Sequence, residues 1–158
     1  MSKPREKKKS VAERYIADVL AGKILTSKLV RKQIERHVRD LALGHERGLY
    51  FDPKKPVRVI RSFADFLCHT EGQWDGQPFV LTPYQQAKVW ILYGWKKAGT
   101  NYRRFKFAYN EEGRGIGKSA FASGCASMSW SDEVRRARRF IAPRPIRRPR
   151  SWCGTPPP

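Results

Sequence analysis

The sequence predicts an α/β protein. An α-helical N-terminal region leads into the opening strand, turn and helix of a phosphate-binding domain with an incomplete parallel sheet, and a disordered C-terminal tail completes the chain. Three observations carry this reading. Apolar residues recur at helical spacing through much of residues 11–70. The alternating stretch "RRFKFAYN" runs straight into the glycine-rich "EEGRGIGKS" and then into a run of small residues, the strand, turn, helix order that a phosphate loop requires. Beyond residue 130 arginine and proline dominate and periodicity stops.

Taken in order, residues 1–10, "MSKPREKKKS", read as a basic disordered arm. A helix starts at Val11, with Tyr15, Ile16, Val19 and Leu20 at helical spacing and Gly22 as its stop. Thr26 or Ser27 caps a second helix whose apolar stripe is Leu29, Val30, Ile34, Val38 and Leu41. Its other face carries Lys28, Arg31, Lys32, Arg36 and Arg39 and reads as a solvated basic face, with nucleic-acid contact as the alternative. A turn at Asp52 and Pro53 precedes a short helix from Pro56 that turns Val59, Ile60, Phe63, Phe66 and Leu67 inward and completes the helical region at residue 70. Residues 71–130 form the first part of the phosphate-binding domain: a loop, a helix opened by Pro83 and closed by Gly94, and a strand whose Phe105, Phe107 and Tyr109 alternate with Lys106 and Ala108. Residues 131–158 are the Arg/Pro-rich tail.

Composition bounds the function. A chain of 158 residues holds one domain with a real core. A formal charge of +19 makes a polyanion, nucleic acid first, the generic partner, and thirteen of those net charges lie outside the tail. Cys68, Cys125 and Cys153 are scattered and odd in number, which supports neither a disulfide framework nor a zinc site and points to a reducing, cytoplasmic compartment. His37, His45 and His69 fall in separate segments without metal-site spacing and read as surface or helix-packing residues. The longest apolar run, "VWILY", is far short of a membrane span, so no membrane partner is expected.

The glycine turn carries the chemistry. In a phosphate loop, backbone N–H groups freed from secondary structure converge on phosphate oxygens at a helix start, where the helix dipole also favours negative charge. Gly113, Gly115 and Gly117 supply that freedom. Lys118 would reach the β and γ phosphates of ATP, and the Ser119 hydroxyl would complete the shell of an ATP-bound Mg²⁺. The usual G-x-x-x-x-G-K-[ST] pattern wants a glycine where this chain has Glu112. Upstream, "LTPYQQ" sets Gln85 just inside a helix start, able to read an adenine edge, with Tyr84 supporting the base or packing locally. Arg114 points a guanidinium towards the γ-phosphate position, the placement of a charge-stabilising catalytic group.

The order "GQPFVLTPYQQ", "WILYGWKKAG", "YRRFKFAYNEEGRGIGKSAFASGCA" resembles the front of the ATPase domain of tailed-phage terminase large subunits, the P-loop motors that drive DNA into procapsids. The resemblance covers roughly residues 45–130. It implies the start of a P-loop NTPase fold, with Gln85 in the adenine motif, Arg114 as the loop arginine, and Lys118 and Ser119 as the phosphate and Mg²⁺ groups of a variant Walker A. ATP and Mg²⁺ are the implied cofactors. The implied partners are double-stranded DNA, the small terminase subunit and the portal protein, in the cytoplasm of a bacterium carrying the phage or prophage. Gly113 stands where the family often has alanine, and Gly115 and Ile116 replace a commoner Lys-Asn pair.

Hydrolysis in this class also needs an acidic strand end and a water-positioning glutamate downstream. Past Lys118 the acids are Asp132 and Glu133, with no apolar strand before them, and the carboxylate cluster of the family's nuclease domain does not occur. The expectation is a truncated front half, inactive alone, whose tail is an out-of-frame reading of a longer coding sequence. The alternative is a small basic nucleic-acid-binding protein without enzymatic activity, its loop cradling a phosphate backbone.

Overall fold

A computed structural model describes residues 9–69, 72–100, 102–113 and 117–141, the stretch 130–141 as backbone only. The chain is mixed α and β: helices α1 (Val11–Leu20), α2 (Lys28–Leu43), α3 (Lys54–Phe66), α4 (Pro83–Gly94) and α5 (Lys118–Ile141), and strands β1 (Leu49–Phe51) and β2 (Trp95–Lys97). Short 3-10 turns occupy Gly44–Arg47 and Gly72–Trp74. Over their described residues, Met1–Val57 with Leu81–Ala108 form one compact unit and Arg58–Val80 with Tyr109–Pro158 a second.

In the first unit, Ser10 opens α1 through a reciprocal capping box: its hydroxyl accepts from the Glu13 N–H, and the Glu13 carboxylate accepts from the Ser10 N–H. Ser10 therefore caps the helix rather than ending the basic arm, and residues 1–8 of that arm lie outside the described residues. Helix α1 lies along α4 and touches α2, burying Ala12, Ile16 and Val19. Pro83 at the first turn and the Thr82 cap start α4 where the sequence places it.

Helix α2 buries a different face from the one its apolar stripe predicts. Ser27 caps it, but Ile34, His37 and Asp40 face the core, while Leu29, Val38 and Leu41 are exposed. The reason is pairing, because the polar members of that face find partners that the apolar stripe lacks. Asp40 accepts a hydrogen bond from Arg104 Nη1 at 2.5 Å and another from Arg47 Nη2, with Arg36 Nε 3.8 Å away. Burial would raise the Asp40 carboxyl, yet the hydrogen bonds and charges of Arg104 and Arg47 outweigh it and hold the group below the ordinary carboxylate range. His37 Nδ1 accepts a hydrogen bond from Trp95 Nε1 at 2.9 Å, and the Arg104 guanidinium lies 5.4 Å from the Trp95 ring centre.

The sheet corrects the expected fold. Among the described residues it is a two-stranded antiparallel pair, β1 against β2, with Leu49 opposite Lys97 and Phe51 opposite Trp95, not an incomplete parallel sheet. The alternating stretch at 105–109 forms no strand. Alternation shapes a face, but a strand is held by bonds to a neighbour. Only its leading edge finds one, where Lys97 N–H donates to Tyr102 O and Arg104 N–H to Trp95 O. Phe107 and Tyr109 are left about nine-tenths exposed, at 91% and 90%. Strand β1, to which the sequence assigns no element, is specified by this pairing and by Phe51, whose ring sits among His37, Trp90 and Trp95.

In the second unit, Phe63 packs on Phe79 and stacks on Phe121 of α5. A side chain at Gly124 would collide with the Phe63 ring, so this glycine lets α5 lie close against α3. Helix α5 runs on to Ile141, past the predicted break at residue 130. Its Arg-, Ala- and Glu-containing stretch holds no Gly or Pro before Pro143, which disfavours helix in the residue preceding it. The rest of the predicted tail, residues 142–158, lies outside the described residues.

The first unit's core generates two expected outcomes. A Cβ at Gly94 would overlap the Phe51 ring, so Gly94→Ala is expected to cost about 1–3 kcal/mol in urea unfolding through overpacking, with Phe51→Leu in the same chain recovering part of the loss. Burial is the main cause that lowers the His37 imidazole from 6.5 to about 4, with Asp40 and Glu13 pulling it up and Arg104 pushing it down. Between those values the unfolded chain binds a proton that the folded chain does not, so stability is complete above the upper one and declines as pH falls. Denaturation between about pH 6.5 and pH 4.5 should show a loss of roughly 1.4 kcal/mol per unit; a flat profile would mean that His37 is not held neutral.

Candidate phosphate site and adenine motif

The glycine turn belongs to the second unit. Gly117 sits at φ +72°, the left-handed region that costs glycine least, and its carbonyl accepts the first intrahelical bond from Phe121 N–H at 3.0 Å. Helix α5 thus begins immediately at Lys118, where the first-turn N–H groups of any helix lack intrahelical partners and the helix dipole is positive. Lys118 does not project away from the turn. Its ammonium folds back and donates to the Glu112 carbonyl at 2.7 Å, closing the loop from beginning to end. Ser119, one residue on, is exposed, as is Gly113. Arg114 and Gly115, the other two loop residues singled out by the sequence, lie outside the described residues.

Two contacts hold this turn's helix in place. Phe121 stacks on Phe63, and Gly124 admits the same ring, so the first turns of α5 are fixed on α3 by apolar packing. The sequence identifies Phe63 as core, but the role of Gly124 as a close-approach residue inside a helix is missed. An isolated glycine in "ASGCAS" is its only signal.

The adenine-motif residues belong to the first unit and are committed to local structure. Gln85 is buried, its amide oxygen accepts the Thr82 N–H at 3.0 Å, and its own N–H donates to the Thr82 hydroxyl at 3.3 Å, a complete capping box. Gln86 donates its amide to the Leu81 carbonyl at 2.8 Å. The Tyr84 ring meets Tyr15 of α1 at 6.0 Å and receives the Lys88 ammonium 4.2 Å from its centre. Burial raises the phenols of both tyrosines. Tyr84 is thus a helix-packing residue of the α1/α4 contact, and the Gln85 oxygen fixes a helix start. The structure brings Tyr84 and Gln85 together, and separately Gly113, Gly117, Lys118 and Ser119.

Among the described residues no three His, Cys, Asp or Glu side chains gather as a protein metal centre would require. Among the same residues no helix is long and apolar enough to cross a membrane. Comparison of the chain with protein-family models, with curated proteins and with solved structures gives no match.

The capping geometry yields a stability outcome. Thr82→Ala and Gln85→Ala should each lower stability by about 0.5–2 kcal/mol, because each removes half of one box. Thermal unfolding of the two variants checks this, and an unchanged midpoint in both would show that the box does not hold α4.

Proposed function

We propose that the chain is the nucleotide-gripping front of a phage terminase large-subunit ATPase domain, with the turn at residues 112–119 as its phosphate loop. The observation that carries this reading is the placement of Lys118: first residue of a long helix, directly after a left-handed glycine, with its ammonium held over the loop backbone. There an ammonium lies at a helix start whose first N–H groups lack intrahelical partners, and both favour a phosphate group. Displacing Lys118 from the Glu112 carbonyl onto a phosphate oxygen would exchange a neutral acceptor for a charged one, a stronger hydrogen bond.

In this reading Gly113, Gly115 and Gly117 shape the loop, and Ser119 completes the coordination of Mg²⁺ arriving with ATP. Arg114, outside the described residues, is the loop arginine assigned to the γ phosphate. Tyr84 and Gln85 are the adenine motif, Gln85 through the part of its amide that the cap leaves over. Duplex DNA is the polymer acted on, and the small terminase subunit and portal are the assembly partners. Past Lys118 the acids of these 158 residues are Asp132 and Glu133, so in this reading these residues by themselves bind nucleotide without turning it over. The net charge of +19 favours one other reading, a basic nucleic-acid-binding protein whose loop cradles backbone phosphate.

Calorimetry separates the two. Mg-ATP is expected to bind the chain, Lys118→Ala to reduce that affinity by at least about tenfold while the far-ultraviolet spectrum stays unchanged, and phosphate release to remain at background. Equal ATP affinity in the variant, or no heat with ATP from a chain that binds duplex DNA, would remove the nucleotide assignment.

A further inference from the structure

The segment after β2 has a use that the nucleotide reading does not absorb. Residues 102–107, "YRRFKF", alternate aromatic and basic side chains, yet beyond Arg104 they join no sheet. Their start is anchored, because Lys97 N–H donates to Tyr102 O and Arg104 N–H donates to Trp95 O. The side chain of Arg104 is tied to Asp40, and the Arg104 and Arg36 guanidinium groups lie over the Phe105 ring at 5.0 and 5.9 Å. The remaining rings face outward: Phe107 is 91% exposed, Tyr102 is 62% exposed, and no described residue stacks on Phe107. The exposed Phe107 ring next to Lys106 leaves a face on which the ring of a ligand can stack.

The charge around it identifies the kind of occupant. Arg36 lies over the Phe105 ring, and Lys32 and Arg39, four residues before and three after it on α2, share its helix face and are exposed. Lys106 is exposed between the two phenylalanines. A cationic row beside unstacked aromatic rings is the combination that holds single-stranded nucleic acid, the cations tracking phosphates and the rings stacking bases. A duplex would use the cations alone, because its bases are already stacked. We infer that Tyr102 and Phe107, with Lys32, Arg36, Arg39 and Lys106, form a binding surface for single-stranded nucleic acid. This surface is independent of the glycine turn and stands whether or not that turn takes nucleotide.

Fluorescence anisotropy with a labelled oligo(dT) of about 20 nucleotides, and with a duplex of the same length, tests it. Phe107 makes no described side-chain contact, so Phe107→Ala keeps the fold, which circular dichroism checks. The expected result is about tenfold weaker oligo(dT) binding for Phe107→Ala with duplex affinity unchanged. Lys32→Gln with Arg39→Gln should weaken both ligands and flatten the salt dependence of each by a slope of about one to two. Oligo(dT) affinity unaltered by Phe107→Ala overturns the proposal. So does sedimentation showing that Phe107 instead mediates association of two copies of the chain, with oligo(dT) affinity unaltered.

Discussion

A buried carboxylate must be paired, and the first unit is arranged around the pairing of one, Asp40. Placing a lone ionised carboxyl in the interior costs several kcal/mol, which only well-made hydrogen bonds to cations offset. Arg47, from the 3-10 turn after α2, supplies one, and Arg104, from the segment after β2, supplies the other. These two bonds tie two distant stretches of chain to the last turn of α2. They also order the aromatic neighbours: Arg104 lies over Trp95, Trp95 donates to His37, and His37 and Trp95 enclose Phe51 between β1 and the end of α4. The sheet is short because its work is to deliver Trp95 and Phe51 to this cluster. Lys96, the residue between Trp95 and Lys97 on β2, repeats the theme by bonding Asp52 at 2.6 Å, and that bond is the main cause that holds the Asp52 carboxyl below its ordinary value.

The parts of the fold legible in the sequence are those written locally. Pro83 after a threonine, Gly94 after an apolar run and Ser27 before a helical pattern mark helix ends because caps and breakers act within a few residues. The glycine turn before Lys118 is local in the same sense, and it leads into a helix as expected. The parts that no local signal specifies depend on partners far along the chain. Asp40 on a helix studded with arginine looks like a solvated acid, and its buried state is decided by Arg104, sixty-four positions away. His37 likewise takes its partner from Trp95, fifty-eight positions on. The alternation at residues 105–109 is a true pattern with no neighbour among the described residues to make it a strand, which is why periodicity alone misled.

For the candidate site, the sequence identifies residue types suited to a task, and the structure shows which of them already have another. Gln85 and Tyr84 spend much of their capacity on a cap and on a helix contact, so any part they take in nucleotide recognition is secondary to holding α4. Lys118 differs, since its bond to a loop carbonyl is one that a phosphate oxygen can replace. Closeness of α5 to α3, permitted by Gly124, gives that turn a rigid base. If the turn takes a phosphate, as proposed, the bond from Lys118 to the Glu112 carbonyl is the one that binding must exchange.

The central claim, that the turn at residues 112–119 grips the phosphates of a nucleotide, is tested most directly by amide-resolved nuclear magnetic resonance during titration with Mg-ATP. The account predicts that the N–H signals of Gly113, Gly117, Lys118 and Ser119 move together and saturably, with inorganic triphosphate reproducing the change and adenosine alone failing to. Movement confined to other residues, or movement at these four with duplex DNA and none with Mg-ATP, would contradict it.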